Sequence, residues 1–374
     1  MIKLSVTAIL LLILLAACST NPGGAVTANP QVIKIGAILP LTGDAASYGI
    51  DVKNAVNLAV DEINTAGGIN GKQFEILFED GKCAPKDAAT AAQKLINVDK
   101  VFVILGGMCS GETLGAAPIA EAAKVVMFSP GSGSPAITNA GEYIFRDFPS
   151  DITSGSKIAM FANQQYARVA LMAELTDYAQ GLKDVFKKNY KGSIIADENF
   201  SPDESDLRAQ ITKIKATSPE ALYFIPQTPQ KAKIFLKQKQ ELGLNNLPLL
   251  TSEVAPTEEI LKSQAEEIEG AVYATPAFDA EEPDAKAFLQ KLAQKYGKID
   301  QALPPVYSAT TYDAVYILKE ALVQCSDADC VKQFLYNVKN RKGTAGMLSI
   351  DENGDAVFEY ELKQIKNGKA MKME

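Results

Sequence analysis

The sequence predicts an α/β protein built as two doubly wound lobes, and three observations lead there. From Val32 onward, short runs rich in Val, Ile, Leu and Phe alternate with longer segments whose apolar residues recur every three or four positions, the pattern of buried parallel strands separated by amphipathic helices. About nine such units follow one another, more than a single doubly wound sheet commonly holds. The chain of 374 residues also exceeds what one compact core usually encloses.

Taken in order, the first residues concern export. Lys3 precedes an apolar run from Ile9 to Ala17 that is too short for a membrane-spanning helix and has the build of a signal peptide over residues 1–17. The run ends Leu15-Ala16-Ala17-Cys18, which resembles a bacterial lipobox, so cleavage before Cys18 and lipidation of its sulfur are expected. Residues 18–31 carry no charge and are rich in Ser, Thr, Asn, Pro, Gly and Ala, the composition of a flexible tether. The expected location is outside the cytoplasm, lipid-anchored, either periplasmic or at the cell surface.

Strands are expected at Ile33–Leu39, Phe74–Glu79, Val101–Leu105, Val125–Phe128, Val169–Met172, Ser193–Ala196, Leu222–Ile225, Leu247–Leu250 and Ala271–Ala274. A helix is expected over Gly49–Thr65, with Val52, Val56, Ala59, Val60 and Ile63 on one face, closing at Gly67-Gly68. Gly131-Ser132-Gly133-Ser134 follows a strand and precedes Pro135, where a helix start would offer N–H groups to an anion. Its glycine spacing is wrong for a dinucleotide-binding turn. Beyond these units the alternation loosens into helices at Tyr312–Val323 and Val331–Lys339. Strands at Met347–Ile350 and Val357–Leu362 then flank an Asn353-Gly354 turn. The acidic residues of 351–355 do not complete a calcium loop.

Composition narrows the function. A formal charge of −8, a pI near 5.0 and the absence of a basic run argue against a nucleic-acid partner; the lysines of Lys231 to Lys239 read as a solvated helix face. There is no histidine, which removes Ser-His and Cys-His nucleophiles and every histidine metal site. No enzyme activity, cofactor or metal is expected. Four cysteines remain after Cys18, an even count that favours disulfides in an exported chain. Cys325 and Cys330 bracket a short polar segment, and Cys83 and Cys109 each follow a strand end, yet three connectivities are possible and a four-thiolate zinc site is the alternative.

Specific strings then resemble the leucine/isoleucine/valine-binding branch of the type I periplasmic solute-binding proteins. They are Ile35-Gly36-Ala37-Ile38-Leu39-Pro40-Leu41-Thr42-Gly43, Tyr48-Gly49, Asn64-Thr65-Ala66-Gly67-Gly68-Ile69-Asn70-Gly71, Glu79-Asp80-Gly81-Lys82-Cys83-Ala84-Pro85-Lys86, Cys109-Ser110 and Ser129-Pro130-Gly131-Ser132-Gly133-Ser134-Pro135, in family order. The resemblance implies two α/β lobes joined by a hinge crossed three times. One lobe is expected to hold residues 32–147 and 279–343, the other 148–278 and 344–374. It pairs Cys83 with Cys109.

Carried over by position, the resemblance sets a ligand carboxylate on Ser110 and the backbone of Gly131, Ser132 and Gly133. The ligand ammonium falls on Glu253, whose alternative reading is an ordinary surface glutamate. Tyr178 is expected to close on the ligand from the second lobe, and Tyr48 and Gln227 are expected to be ligand-binding residues as well. Two departures weaken a branched-chain specificity: Gly133 stands where the family places a hydroxyl, and Gln227-Thr228 where it places a tyrosine. A more polar amino acid or an amide fits better. The implied role is the monomeric solute receptor of an ABC importer, partnered by a small-molecule ligand and a membrane permease; a sensor or chemoreceptor of the same fold is the alternative.

Overall fold

The computed structural model describes residues 32–297 and 302–373. The signal peptide, Cys18 and the tether of 18–31 lie outside the described residues.

The first lobe is built on a wholly parallel sheet of β1 (Val32–Leu39), β2 (Gln73–Asp80), β3 (Val103–Gly106), β4 (Val126–Ser129) and β5 (Ile144–Arg146), in the order β2-β1-β3-β4-β5. Connecting helices α1 (Ala46–Thr65), α2 (Pro85–Asn97) and α3 (Ser110–Ala123) cover its two faces. α1 ends where expected because Gly68, at φ +74°, donates its N–H to Ile63 O, and a Cβ there would lie 2.0 Å from Lys72 O.

The second lobe runs α4 (Asp151–Gln165), β6 (Arg168–Glu174), α5 (Asp177–Asn189), β7 (Ser193–Phe200), α6 (Arg208–Thr217), β8 (Ala221–Ile225), α7 (Pro229–Glu241), β9 (Leu249–Ser252), α8 (Glu258–Ser263), α9 (Ala265–Ile268) and β10 (Val272–Pro276). The chain then returns to the first lobe as α10 (Pro283–Tyr296), α11 (Pro305–Gln324) and α12 (Ala328–Tyr336), which pack on α1 and its sheet. A small antiparallel sheet of β11 (Arg341–Gly343), β12 (Gly346–Ile350) and β13 (Ala356–Val357) follows. Finally β14 (Tyr360–Lys366) and β15 (Lys369–Lys372) extend the second sheet, β14 antiparallel to β10. The three segments passing between lobes run side by side: Pro149 bridges Ala356, and Ala277 N–H donates to Glu359 O.

Five expectations change. The strand expected over Val357–Leu362 is two strands in different lobes, broken at the crossing. The second-lobe segment expected from 344 starts near Tyr360 instead. Leu348, Ile350 and Ala356 pack in the first lobe's core, and Asp313 on α11 accepts the N–H groups of Thr344 and Ala345. The helix expected at Pro135 is a five-residue 3-10 turn, Pro135–Asn139. Lys231 and Lys239 are 4% and 2% exposed rather than solvated, donating to the carbonyls of Glu204 and Asn245; burial lowers Lys239 to about 8. The zinc alternative falls because Cys83–Cys109 and Cys325–Cys330 are both disulfides.

Candidate functional site

Ligands of open α/β sheets sit beyond the carboxyl ends of the strands, and the first wall of the site lies there. α3 begins at Ser110, directly after β3. Glu112, at the third position of the helix, accepts the N–H groups of Cys83, Met108 and Cys109 and holds this end of the helix against the disulfide. Ser110 Oγ accepts the Ser134 N–H at 3.1 Å, which leaves its own proton free to donate. Ser132 is committed elsewhere: its hydroxyl meets Thr113 Oγ1 at 2.7 Å and Gly107 O at 3.0 Å, and its N–H goes to Ser129 Oγ. It braces the loop. The N–H groups of Gly131 and Gly133 have no acceptor among the described residues. Gly131 admits the Met108 side chain, which a Cβ would meet at 2.3 Å.

Behind the loop, buried Arg146 at the end of β5 is clamped by both oxygens of Asp355 at 2.7 and 2.8 Å. Its remaining nitrogen donates to Ser134 O at 2.9 Å and Ser132 O at 3.3 Å. The turn expected at Asn353-Gly354 therefore does more than reverse the chain: it delivers the counter-ion of the loop's brace.

The second wall centres on Glu253, just past β9. It is 0% exposed, not a surface residue. Its Oε1 accepts the hydroxyls of Tyr307 at 2.8 Å and of Tyr178 at 3.2 Å, while Oε2 has no partner. Tyr178 stands in the first turn of α5. Tyr307 belongs to α11 in the other lobe and stacks on Phe148 of a crossing segment at 4.4 Å. Burial raises the Glu253 carboxyl above its ordinary value, opposed by the tyrosine hydroxyls.

Asp151 completes this buried cluster, and sequence reasoning did not identify it. It is 0% exposed, neither oxygen has a partner, and its carboxylate occupies the space a Cβ on Gly133 would fill, Oδ2 lying 2.3 Å from it. The hydroxyl lost at Gly133 thus makes room for a charge. Burial pushes Asp151 well up, the Glu253 charge adds to this, and Arg146 opposes it. No sequence signal marked it, because an acidic residue in a first helical turn after a capping Ser150 is the default. The buried hydroxyls of Tyr223 and Tyr360, both unpartnered, feel the same two carboxylates.

Tyr48 and Gln227 meet each other across the lobes: Tyr48 OH donates to Gln227 O at 3.1 Å. Gln227 N–H in turn goes to Glu174, whose carboxyl burial lifts to about 7. Outside this latch a cavity of about 660 Å³ opens between α3 and α5, lined in part by Gly111, Glu174, Asp177 and Gln227.

A cluster of buried, partly unpartnered acids and hydroxyls where two lobes meet has the groups a solute receptor's cleft requires. The chain belongs to the periplasmic binding protein family, whose model matches residues 32–370, a family of exported solute-binding proteins rather than enzymes. It is 28% identical to a leucine-, isoleucine-, valine-, threonine- and alanine-binding protein of Pseudomonas aeruginosa over 87% of each chain. To the Leu/Ile/Val-binding protein of Escherichia coli it is 26% identical, over 86% of this chain and 88% of that one. The crystal structure of the branched-chain amino acid transporter substrate-binding protein of Streptococcus pneumoniae with isoleucine superposes with TM-score 0.81, at 28% identity, over 92% of this chain and all of that one. A Rhodopseudomonas palustris solute-binding protein holding 3,4-dihydroxybenzoic acid shares the fold with TM-score 0.80 at 24% identity over 91% of this chain and 96% of that one.

Proposed function

We propose that this chain is the lipid-anchored solute receptor of an ABC importer, held to the membrane through Cys18, that binds an amino acid or similar small carboxylate or amide between its lobes and passes it to a permease as a monomer. Ser110 Oγ and the N–H groups of Gly131 and Gly133 receive the carboxylate, since a desolvated anion needs several donors. Glu253 receives the ammonium, and Tyr178 closes the second lobe over it. Tyr48 and Gln227 latch the closed form from outside the chamber.

One observation carries the reading: two fully buried carboxylates present three oxygens with no partner, a high-energy arrangement that a bound cation relieves. The same observation separates an amino acid from an aromatic acid, which brings a carboxylate but nothing for Glu253 or Asp151. Thermal-shift screening of the mature chain against amino acids, amides and benzoates tests it. A bound ligand at 100 times its dissociation constant adds about 2.7 kcal/mol of stability. If benzoates shift the melting curve and amino acids do not, the reading fails.

A further inference from the structure

The site holds one more buried carboxyl group than a single α-ammonium matches, a point that rests on the amino-acid reading and sharpens it. Three of the four oxygens of Asp151 and Glu253 are open, as are the hydroxyls of Tyr223 and Tyr360. Arg146, the buried cation whose charge reaches Asp151, is already spent on Asp355. A zwitterionic ligand brings a carboxylate for Ser110 and the glycine loop, and one ammonium. That ammonium neutralises one buried acid. The second is left holding a proton in place of a counter-ion, as its burial favours, and a second cation on the ligand would displace that proton and pair with the carboxylate. An aliphatic side chain offers nothing to these atoms.

The charged residues lining the neighbouring cavity between α3 and α5 are also mainly acids. Asp44, Glu174, Asp177 and Asp203 line the outer cavity with one cation, Lys82, itself paired with Asp87 at 3.0 Å. A cavity whose charged residues are mainly of one sign concentrates ligands of the opposite charge nearby.

We propose that the ligand class is the cationic amino acids, molecules with a nitrogen cation on the side chain as well as at Cα, and that Asp151 is the residue that selects the second cation. Calorimetry on the mature chain, freed of co-purified ligand by unfolding and refolding, compares lysine with norleucine and arginine with citrulline, pairs close in shape that differ in side-chain charge. The cationic member is expected to bind at least tenfold tighter, and Asp151→Asn to abolish that difference. Equal affinity within both pairs overturns the proposal and leaves the amino-acid reading standing. If none of the four binds, the proposal is overturned, and the wider thermal-shift screen decides the amino-acid reading separately. Should Asp151→Asn fail to fold, the paired comparison on the unsubstituted chain decides alone.

Discussion

At Glu253 two tyrosine hydroxyls offset part of the cost of burying a carboxylate, and the second oxygen is left for a cation. Glu253→Gln keeps the shape and removes the charge. Affinity for an ammonium-bearing ligand is expected to fall at least tenfold, with losses on the order of 3 kcal/mol usual when a buried charge loses its partner; unchanged affinity by calorimetry removes Glu253 from the site. Ser110→Ala deletes one charge-assisted hydrogen bond and is expected to cost about 1.5 kcal/mol of binding.

Glu112 makes a different prediction, about stability. Burial lifts its carboxyl from 4.5 to about 7, against the N–H groups of Cys109, Cys83 and Met108, with Asp80 adding to the rise. The folded state therefore holds a proton that the unfolded state releases. Its contribution is complete below pH 4.5 and is lost as pH rises through about 7. Glu174 adds a parallel contribution, also ending near 7. Melting temperatures across this range are expected to fall with rising pH, and Glu112→Gln to flatten the slope. An identical slope in the variant rejects this origin.

At the scale of elements, the glycine loop is shaped less by its own residues than by what stands behind it. The Arg146–Asp355 clamp joins β5 to the turn between β12 and β13 and hands two loop carbonyls a donor. Asp355→Asn strands a buried guanidinium and is expected to destabilise the fold by about 3 to 5 kcal/mol, measured by urea unfolding, and to weaken ligand binding as the loop loosens. Full affinity in a folded variant would show that the loop holds its shape unaided. The Cys83–Cys109 disulfide, 26 residues apart, supports the start of α3 from the other side. Replacing both cysteines is expected to cost roughly 3 kcal/mol on the chain-entropy model.

For the whole molecule, two side-chain hydrogen bonds join the lobes among the described residues, Tyr48 to Gln227 and Tyr307 to Glu253, beside the backbone bond from Asp151 N–H to Gly133 O. Ligand shifts a hinge equilibrium only by the difference in its affinity for the open and closed forms. With the proposed contacts divided between lobes, a ligand held by both would favour the closed one. Small-angle scattering is expected to show the radius of gyration fall on ligand addition. Tyr48→Phe removes one latch and is expected to weaken binding by about 0.5–1.5 kcal/mol. A radius unchanged by a bound ligand argues against closure as the binding step.

The alternation of apolar runs sufficed for the fold class and for most strands, because burial on both faces of a parallel sheet leaves a local signature in each strand. β5, three residues long, left none, and α11 begins at Pro305, earlier than read, because a helix buried nearly all round blurs its own period. Family order in the motifs pointed to Ser110, the glycine loop, Tyr178 and Glu253. Asp151, Tyr307, Arg146 and Asp355 were decided by tertiary structure alone. Asp355 meets Arg146 across 209 positions and Tyr307 meets Glu253 across 54. A charge's meaning depends on what surrounds it: Asp151 in the chain is an ordinary first-turn acid, and only the packing of Gly133 and Glu253 around it makes it an unpaired one.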